Sequence, residues 1–285
     1  MLVLIVMRVR RKKMKINNRQ LKRDAKIFKR VSLNAIPSPI DERDYTMSTV
    51  GMSVGELPES YECKSVKILN QGTVGSCTSH SIVTNMMSSE KQTNDNSNEY
   101  SRGYIYANRH INDAKSDGQV IRYALHQLVK DGTVLQEDFP HNMSYSKIIA
   151  KFESEKERLA QCNHYKIENY FRVYSEEEIK TCVMKNGGCV IGVYVYDNFG
   201  RDLHKPASDA KRTGCHAMTI VGWKDNKWIV QNSWGSSWGY GGKLYMDMDY
   251  PILESWGITR GPVEISKKKS FWQIILEALR KLFKK

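Results

Sequence analysis

The chain has 285 residues, 40% of them hydrophobic, with six tryptophans, which is enough material for one or two packed domains. Its formal charge of +13 belongs to the ends: residues 1–35 hold twelve Lys or Arg against one acid, residues 266–285 hold seven against one, and the body between carries −4. That excludes a body acting as a basic nucleic-acid-binding surface. Any attraction to anionic polymers or lipid is a property of the tails, and no specific nucleic acid is expected as a partner.

Met1 to Met7 is apolar but only seven residues long. It cannot span a bilayer, and it lacks the charged region and small-residue cleavage site of a signal peptide. Met1, Met7 and Met14 are all candidate starts. From Asn17 or Asn18 a short helix is expected, with Leu21, Ala25, Phe28 and Val31 on one stripe, inside a basic, solvated arm (1–35). Residues 36–57 hold two prolines and then a Ser/Gly/Met stretch, and read as an extended leader. Its position alone would allow it to lie in a cleft.

The body is expected over 58–265. A helix starting at Cys77 should run to about Met87, followed by a polar loop at Thr93 to Ser97. Helical patterns come near 101–111, 120–130 and 144–162. From about 165 the period changes to strands. Cys189 to Tyr196 reads as a buried strand, Ala217–Trp223 and Lys227–Asn232 as a hairpin around Lys224-Asp225-Asn226, and 242–246 as a further strand. Residues 266–285 end the chain. Ser270 and Gln273 offer a capping box. Phe271, Ile275, Ala278 and Leu282, widened by Trp272, Leu279 and Phe283, make an apolar face beside basic residues. Sixteen residues at about 1.5 Å each fall short of a bilayer core of about 30 Å. This helix would lie on an anionic membrane or in a partner's groove, or pack back on its own domain.

Six cysteines stand at 63, 77, 162, 182, 189 and 215. They fit no zinc spacing, and neither a metal nor a cofactor is expected. Cys77 ends Gln71-Gly72-Thr73-Val74-Gly75-Ser76-Cys77, just before a helix. Far downstream come Gly214-Cys215-His216-Ala217 and Val230-Gln231-Asn232-Ser233-Trp234-Gly235. A thiolate attacks carbonyls far better than a thiol, and a helix N-terminus with a histidinium beside it lowers a thiol's pKa. The order Gln, Cys, His, Asn suits a thiol nucleophile with its base and its orienter. His80, three residues after Cys77, either competes for the thiolate or fills a core position.

These residues resemble the papain-like (C1) cysteine peptidases, in particular bacterial and phage-type members with a short leader. The steps of six residues from Gln71 to Cys77 and sixteen from His216 to Asn232 are those the family shows, as is Asn232-Ser233-Trp234-Gly235-Ser236-Ser237-Trp238-Gly239. Leu57-Pro58-Glu59-Ser60-Tyr61 and the Asp117-Gly118 to Asp138-Phe139-Pro140 segment extend the likeness to roughly 58–262. The resemblance implies an α+β fold: a helical half (about 75–164) and a β-barrel-like half (about 165–262 plus 58–74), with the cleft between them. It implies Cys77 as nucleophile, His216 as general base and acid, Asn232 as its orienter, and Gln71 with the Cys77 N–H as oxyanion donors. It further implies substrate contacts at Gly75, Ser76, Asp117, Gly118, Ala217 and Trp234, with Trp234 shielding the His216–Asn232 hydrogen bond.

The chain departs from the family at Thr78 and Val74, where a tryptophan and a bridge cysteine are usual, at the cleft wall, reduced to Asp117-Gly118, and at Cys215. The expected function is peptide-bond hydrolysis by a monomer through a thioester on Cys77. The alternatives are a peptide ligase on the same site and a non-catalytic binding domain. With Cys77 assigned to catalysis five cysteines remain, and this odd remainder without the family's usual bridge cysteine favours a reducing, cytoplasmic compartment.

Overall fold

A computed structural model of the chain describes residues 18–113, 116–259 and the backbone of 263–265. The expected C-terminal helix over 266–285, and the candidate starts before residue 18, lie outside the described residues.

The elements run α1 (Asn18–Phe28), β1 (Ala35–Ile36), β2 (Tyr61–Glu62), α2 (Cys77–Thr93), α3 (Arg102–Ala107), β3 (Gln119–Val120), α4 (Ile121–Lys130) and α5 (Tyr145–Leu159). Then come β4 (His164–Lys166), β5 (Tyr170–Arg172), α6 (Glu176–Asn186), β6 (Cys189–Tyr196), β7 (Asp202–Leu203), β8 (Arg212–Lys224), β9 (Lys227–Gln231), β10 (Lys243–Asp247), β11 (Ile252–Ile258) and β12 (Val263–Ile265). The first half is helical and the second is built on a sheet ordered β5-β11-β6-β8-β9-β10-β7, with β2 also on β8.

This is an α+β fold, but the sheet is open where a barrel-like half was expected. Its edges, β5 and β7, are three and two residues long and do not pair with each other. The leader instead covers the β5 edge, where Thr46 bridges to Arg172. The β8–β9 hairpin turns through Asp225 and Asn226, both at positive φ (51° and 58°), the turn for which Asn and Asp are suited.

α2 is the central helix. Every residue from Cys77 to Ser88 is buried, so it has no polar face and its sequence shows little amphipathic period. Its small polar side chains find partners inside. Thr78 Oγ1 donates to Gln119 O (3.0 Å), Ser79 Oγ to Gln119 Oε1 (2.7 Å), and Ser81 Oγ to Thr78 O (2.9 Å). Thr78, in place of the usual tryptophan, thus ties the nucleophile helix to β3. The helix continues past Met87 to Thr93. Glu90 in that last stretch accepts from Asn98 N (2.7 Å) and Tyr100 Oη (2.8 Å).

α6 lies inside the region read as strands. Ser175 Oγ accepts from Glu178 N (3.1 Å), three glutamates fill the first turn, and Gly187 closes the helix at φ 77°. These are ordinary start and stop signals.

One apolar cluster lies on the sheet, around Trp223, Trp228, Trp234 and Trp238, and a second fills the space between α2, α4 and the sheet. The N-terminal arm joins the first. Leu21 and Ala25 face solvent, while Ile27, Phe28, Val31 and Leu33 pack on that cluster. Phe28 stacks at 6.0 Å on Phe199 and lies 5.9 Å from Trp234. Asp24 is 6% exposed and is held by Arg201 Nε (2.9 Å), Gly239 N (3.1 Å) and Gln20 Nε2 (3.0 Å). The arm is therefore docked through Phe28 and Val31 of the expected stripe, with buried Asp24 and partly buried Ile27 where Leu21 and Ala25 were expected.

Removing one partner of a buried ion pair strands the other. Asp24→Ala should cost about 3 kcal/mol and expose residues 18–35 to limited proteolysis well before the body. Unchanged melting and unchanged protease resistance would show that Asp24 does not hold the arm.

Candidate active site

Cys77 opens α2, and its thiol is fully buried. Backbone N–H groups of Ala217, Asn34 and Thr78 reach it. Across the cleft, β8 carries His216, also fully buried. Asn232 follows β9 and is 2% exposed. The Asn232 side-chain oxygen accepts from Ser233 N (2.7 Å), which fixes which end of the amide is oxygen, and also from His216 Nε2–H (2.8 Å). In the neutral imidazole this leaves Nδ1 as the basic atom. Nδ1 is buried with no hydrogen-bond partner among the described residues.

Gln71 is joined to the same segment. Its N–H donates to Ser233 O (2.9 Å), Ser233 Oγ donates to its Oε1 (2.7 Å), and Asn70 bridges to Trp234. Its Nε2 is thereby turned inward, where it donates to Val74 O (2.9 Å) and Ser32 O (3.1 Å). Trp234 lies 5.0 Å from the His216 ring at 31°, and Phe199 meets that ring edge-on at 6.4 Å. The structure thus gathers Gln71, Cys77, His216, Asn232 and Trp234. Ala217 lies beside the thiol, and Ser76 stands at the N-terminus of α2 with its hydroxyl turned to His141 and not to the helix.

The cleft is occupied by the end of the arm and the start of the leader, residues 32–36, which are counted with the leader from here on. β1 pairs parallel with β3, Ala35 to Gln119 and Ile36 to Val120, and Asn34 bridges parallel to Cys215. Asn34 O accepts from Gln119 N (3.2 Å), and its Nδ2 donates to Asp117 Oδ1 and to Ser32 Oγ (3.1 Å). Two glycines make room for it. A Cβ on Gly75 would meet Asp117 O at 2.3 Å and Asn34 Nδ2 at 2.9 Å, and one on Gly118 would meet Asn34 O at 2.5 Å. Gly75, Asp117 and Gly118 therefore face the leader. Sequence reasoning missed Asn34 and Gln119. A signal for the leader was present: Pro37 and Pro39 hold Ile36 and Ser38 extended, ready to add a strand.

Burial sets the charge state of this closed site. It pushes the Cys77 thiol up, and the backbone N–H groups around the sulfur oppose that only in part. It pushes His216 down to about 4, against the opposing hydrogen bond to Asn232. Thiol and imidazole are both neutral here. His80 does not compete for the thiol. It is buried, its Nδ1–H donates to Ser76 O (2.8 Å), and its ring meets His141 edge-on at 4.6 Å. His141 Nε2 bonds Ser76 Oγ (2.9 Å), and burial, with Arg102 nearby, holds it down at about 4.

His216 and His141 give a pH dependence. Both fold with a pKa of about 4, below the free value of about 6.5. Between these values the unfolded chain binds more protons, so stability is full at pH 7 and falls as pH drops through the window. At pH 5 each histidine should cost about 2 kcal/mol, lowering the melting temperature by several degrees. The depressed carboxylates of Glu99 and Asp247 act below that window. Burial holds the neighbouring His80 well down too, so it adds to the same loss, and equal melting temperatures at pH 7 and pH 5 would refute neutral burial of these histidines.

Comparison with known proteins gives a consistent picture. Residues 57–263 match the model of the papain family cysteine proteases. A cysteine protease of Blomia tropicalis is 24% identical over 219 residues, covering 70% of this chain and 64% of its own length. A peptidase C1-like protein of Acanthamoeba polyphaga mimivirus is 30% identical over 207 residues, 65% of each chain. The chain thus spans just under two thirds of the length of these two relatives. Xylellain, a cysteine protease from Xylella fastidiosa, superposes with a TM-score of 0.67 at 21% identity, covering 81% of this chain and 97% of its own. A procathepsin B of Trypanosoma congolense does so at 0.61 and 18%, covering 84% and 89%. Likeness at these identities speaks for the fold. The family match over most of the chain carries the assignment: this chain belongs to the papain family of cysteine proteases.

Proposed function

We propose that the chain is a cysteine peptidase held latent by its own leader. One observation carries the catalytic part. His216 gives Nε2–H to Asn232 and keeps a basic, unpartnered Nδ1 in the same buried site as a thiol at a helix N-terminus. In the open enzyme Nδ1 takes the Cys77 proton, and the thiolate attacks the scissile carbonyl carbon. The developing oxyanion accepts from Gln71 Nε2 and the Cys77 N–H. The C–N bond breaks as His216 returns the proton to the leaving amine, and water then hydrolyses the thioester. Asn232 keeps the imidazole in the useful tautomer throughout.

In the closed form these groups are occupied. Gln71 Nε2 donates to Ser32 O, and Asn34 N–H reaches the thiol. Leu33 packs on the apolar cluster that contains Trp234 and Phe199, and these two rings flank His216 at one end of the cleft. The leaving amine belongs at that end, so the Ile36 end holds the acyl half. A substrate runs from acyl half to amine, whereas the leader runs from Leu33 to Ile36, the opposite way. A reversed chain presents its carbonyls and nitrogens in inverted order, which protects it from hydrolysis.

The substrate class is protein or peptide. Six free thiols, four of them buried, support a reducing compartment. The 266–285 segment, with its apolar face and basic residues, would bring the peptidase to an anionic membrane or a protein partner.

Cys77→Ala should abolish turnover of a short peptide with the fold intact, and full activity would end the proposal. Gln71→Ala should lower kcat by about a hundredfold. Leu33→Asp places a charge on the apolar face beneath the leader and should raise wild-type turnover by about tenfold or more. No rise would mean that the leader does not inhibit.

A further inference from the structure

Beyond the thiol, the leader makes a second set of contacts at the acyl end of the cleft. Ser38 N–H donates to Glu254 Oε1 (3.1 Å), and Ser38 Oγ accepts from Arg122 N (3.3 Å). The chain then turns and delivers two carboxylates. Arg122 Nη1 lies 3.2 Å from Asp41 Oδ2 and 3.1 Å from Asp44 Oδ1. Arg172 Nε lies 3.6 Å from Asp44 Oδ2. The arginine side chains are 11% and 13% exposed.

The body cannot neutralise this pair unaided. Arg172 keeps Glu254 (3.3 Å) and stacks on Trp256 at 4.3 Å. Glu254 is already bonded by Trp256 Nε1 (2.8 Å). Both recorded ion pairs of Arg122 are with leader residues. When the leader leaves, two guanidiniums face one carboxylate, and Arg122, at the second residue of α4 directly after the β3 wall, loses both partners. A guanidinium sheltered like this binds a carboxylate strongly through charge-assisted hydrogen bonds.

We propose that Arg122, backed by Arg172, forms a subsite for an acidic side chain of the substrate, on the acyl side of the scissile bond, with the leader's Asp41 and Asp44 as its stand-ins. The proposal rests on the peptidase reading above. Ser38 already touches this site four positions beyond Asn34, and an extended chain covers about 13 Å in four residues. The acidic residue therefore belongs three to five residues before the scissile bond. The substrate class is acidic peptides, cut downstream of an Asp or Glu. The same contacts give the leader its selectivity: its acidic turn competes for the site that reads the substrate.

The test uses the full chain carrying Leu33→Asp, with Asp41→Asn and Asp44→Asn to remove the competing carboxylates. Paired fluorogenic octapeptides differ only by Asp or Asn at one of the second to fifth residues before the scissile bond. The Asp peptide should be cleaved with a kcat/KM about tenfold or more above its Asn partner at one of the third to fifth positions. The advantage should fall with rising salt. In the same chain, Arg122→Gln should bring the ratio to about one, and Arg122→Lys should restore part of it. A ratio at or below one at every position, or one indifferent to Arg122→Gln, overturns the proposal. Calorimetric binding of the same peptides to that chain with Cys77→Ala separates the two readings. Preferential binding of the Asp peptide without hydrolysis in the Cys77 chain would fault the peptidase and keep the subsite. Hydrolysis without preference would fault the subsite alone.

Discussion

The closed molecule depends on one residue's backbone and side chain. Asn34 lies between the two halves, and its backbone N–H, its carbonyl and its side-chain NH2 group are all engaged. Its N–H reaches the Cys77 thiol, its carbonyl accepts from Gln119 N, and its amide donates to Asp117 and Ser32. That arrangement excludes water from thiol and imidazole together, and burial then drives both to their neutral forms. An ion pair between them would have to survive the same desolvation, and the low-dielectric site disfavours it. On the proposed reading, latency comes from solvent exclusion in addition to the blocked access.

The leader is held at both ends of that contact by buried charge. On one side Asp24 joins α1 to Arg201 and the Gly239 backbone, and on the other Asp41 and Asp44 meet Arg122 and Arg172. Anchors of this kind are sensitive to loss of a single partner. They are also exchangeable, since another carboxylate can take the place of Asp44. A leader held by apolar burial alone would lack that second property.

The arrangement of the candidate site was legible in the sequence because its pieces sit at fixed offsets on regular elements: Cys77 at the start of α2, His216 on β8, and Asn232 just beyond β9. The hairpin around Asp225-Asn226 was legible for the same reason. Other features were not. α6 carries a serine cap, acidic first turn and closing glycine, yet it was passed over because the strand period dominates its surroundings. The arm's stripe holds at Phe28 and Val31 but not at Leu21 and Ala25, because a buried aspartate, Asp24, defines the rest of that face, and hydrophobic periodicity does not register a satisfied charge. The expected barrel-like closure failed on edge strands too short to meet. Thr78 stands out in the sequence only as a departure from the family, but its hydroxyl ties α2 to the cleft wall, a contact between segments that no local pattern displays.

The central claim is that the leader covers a competent thiol. An irreversible peptidyl epoxide that alkylates the thiol of cysteine peptidases tests it directly, with the modified residue mapped by mass spectrometry. The wild-type chain should react slowly and the Leu33→Asp chain about tenfold faster or more, in both cases at Cys77. Equal rates in the two chains, or labelling at another of the six cysteines, would contradict the account.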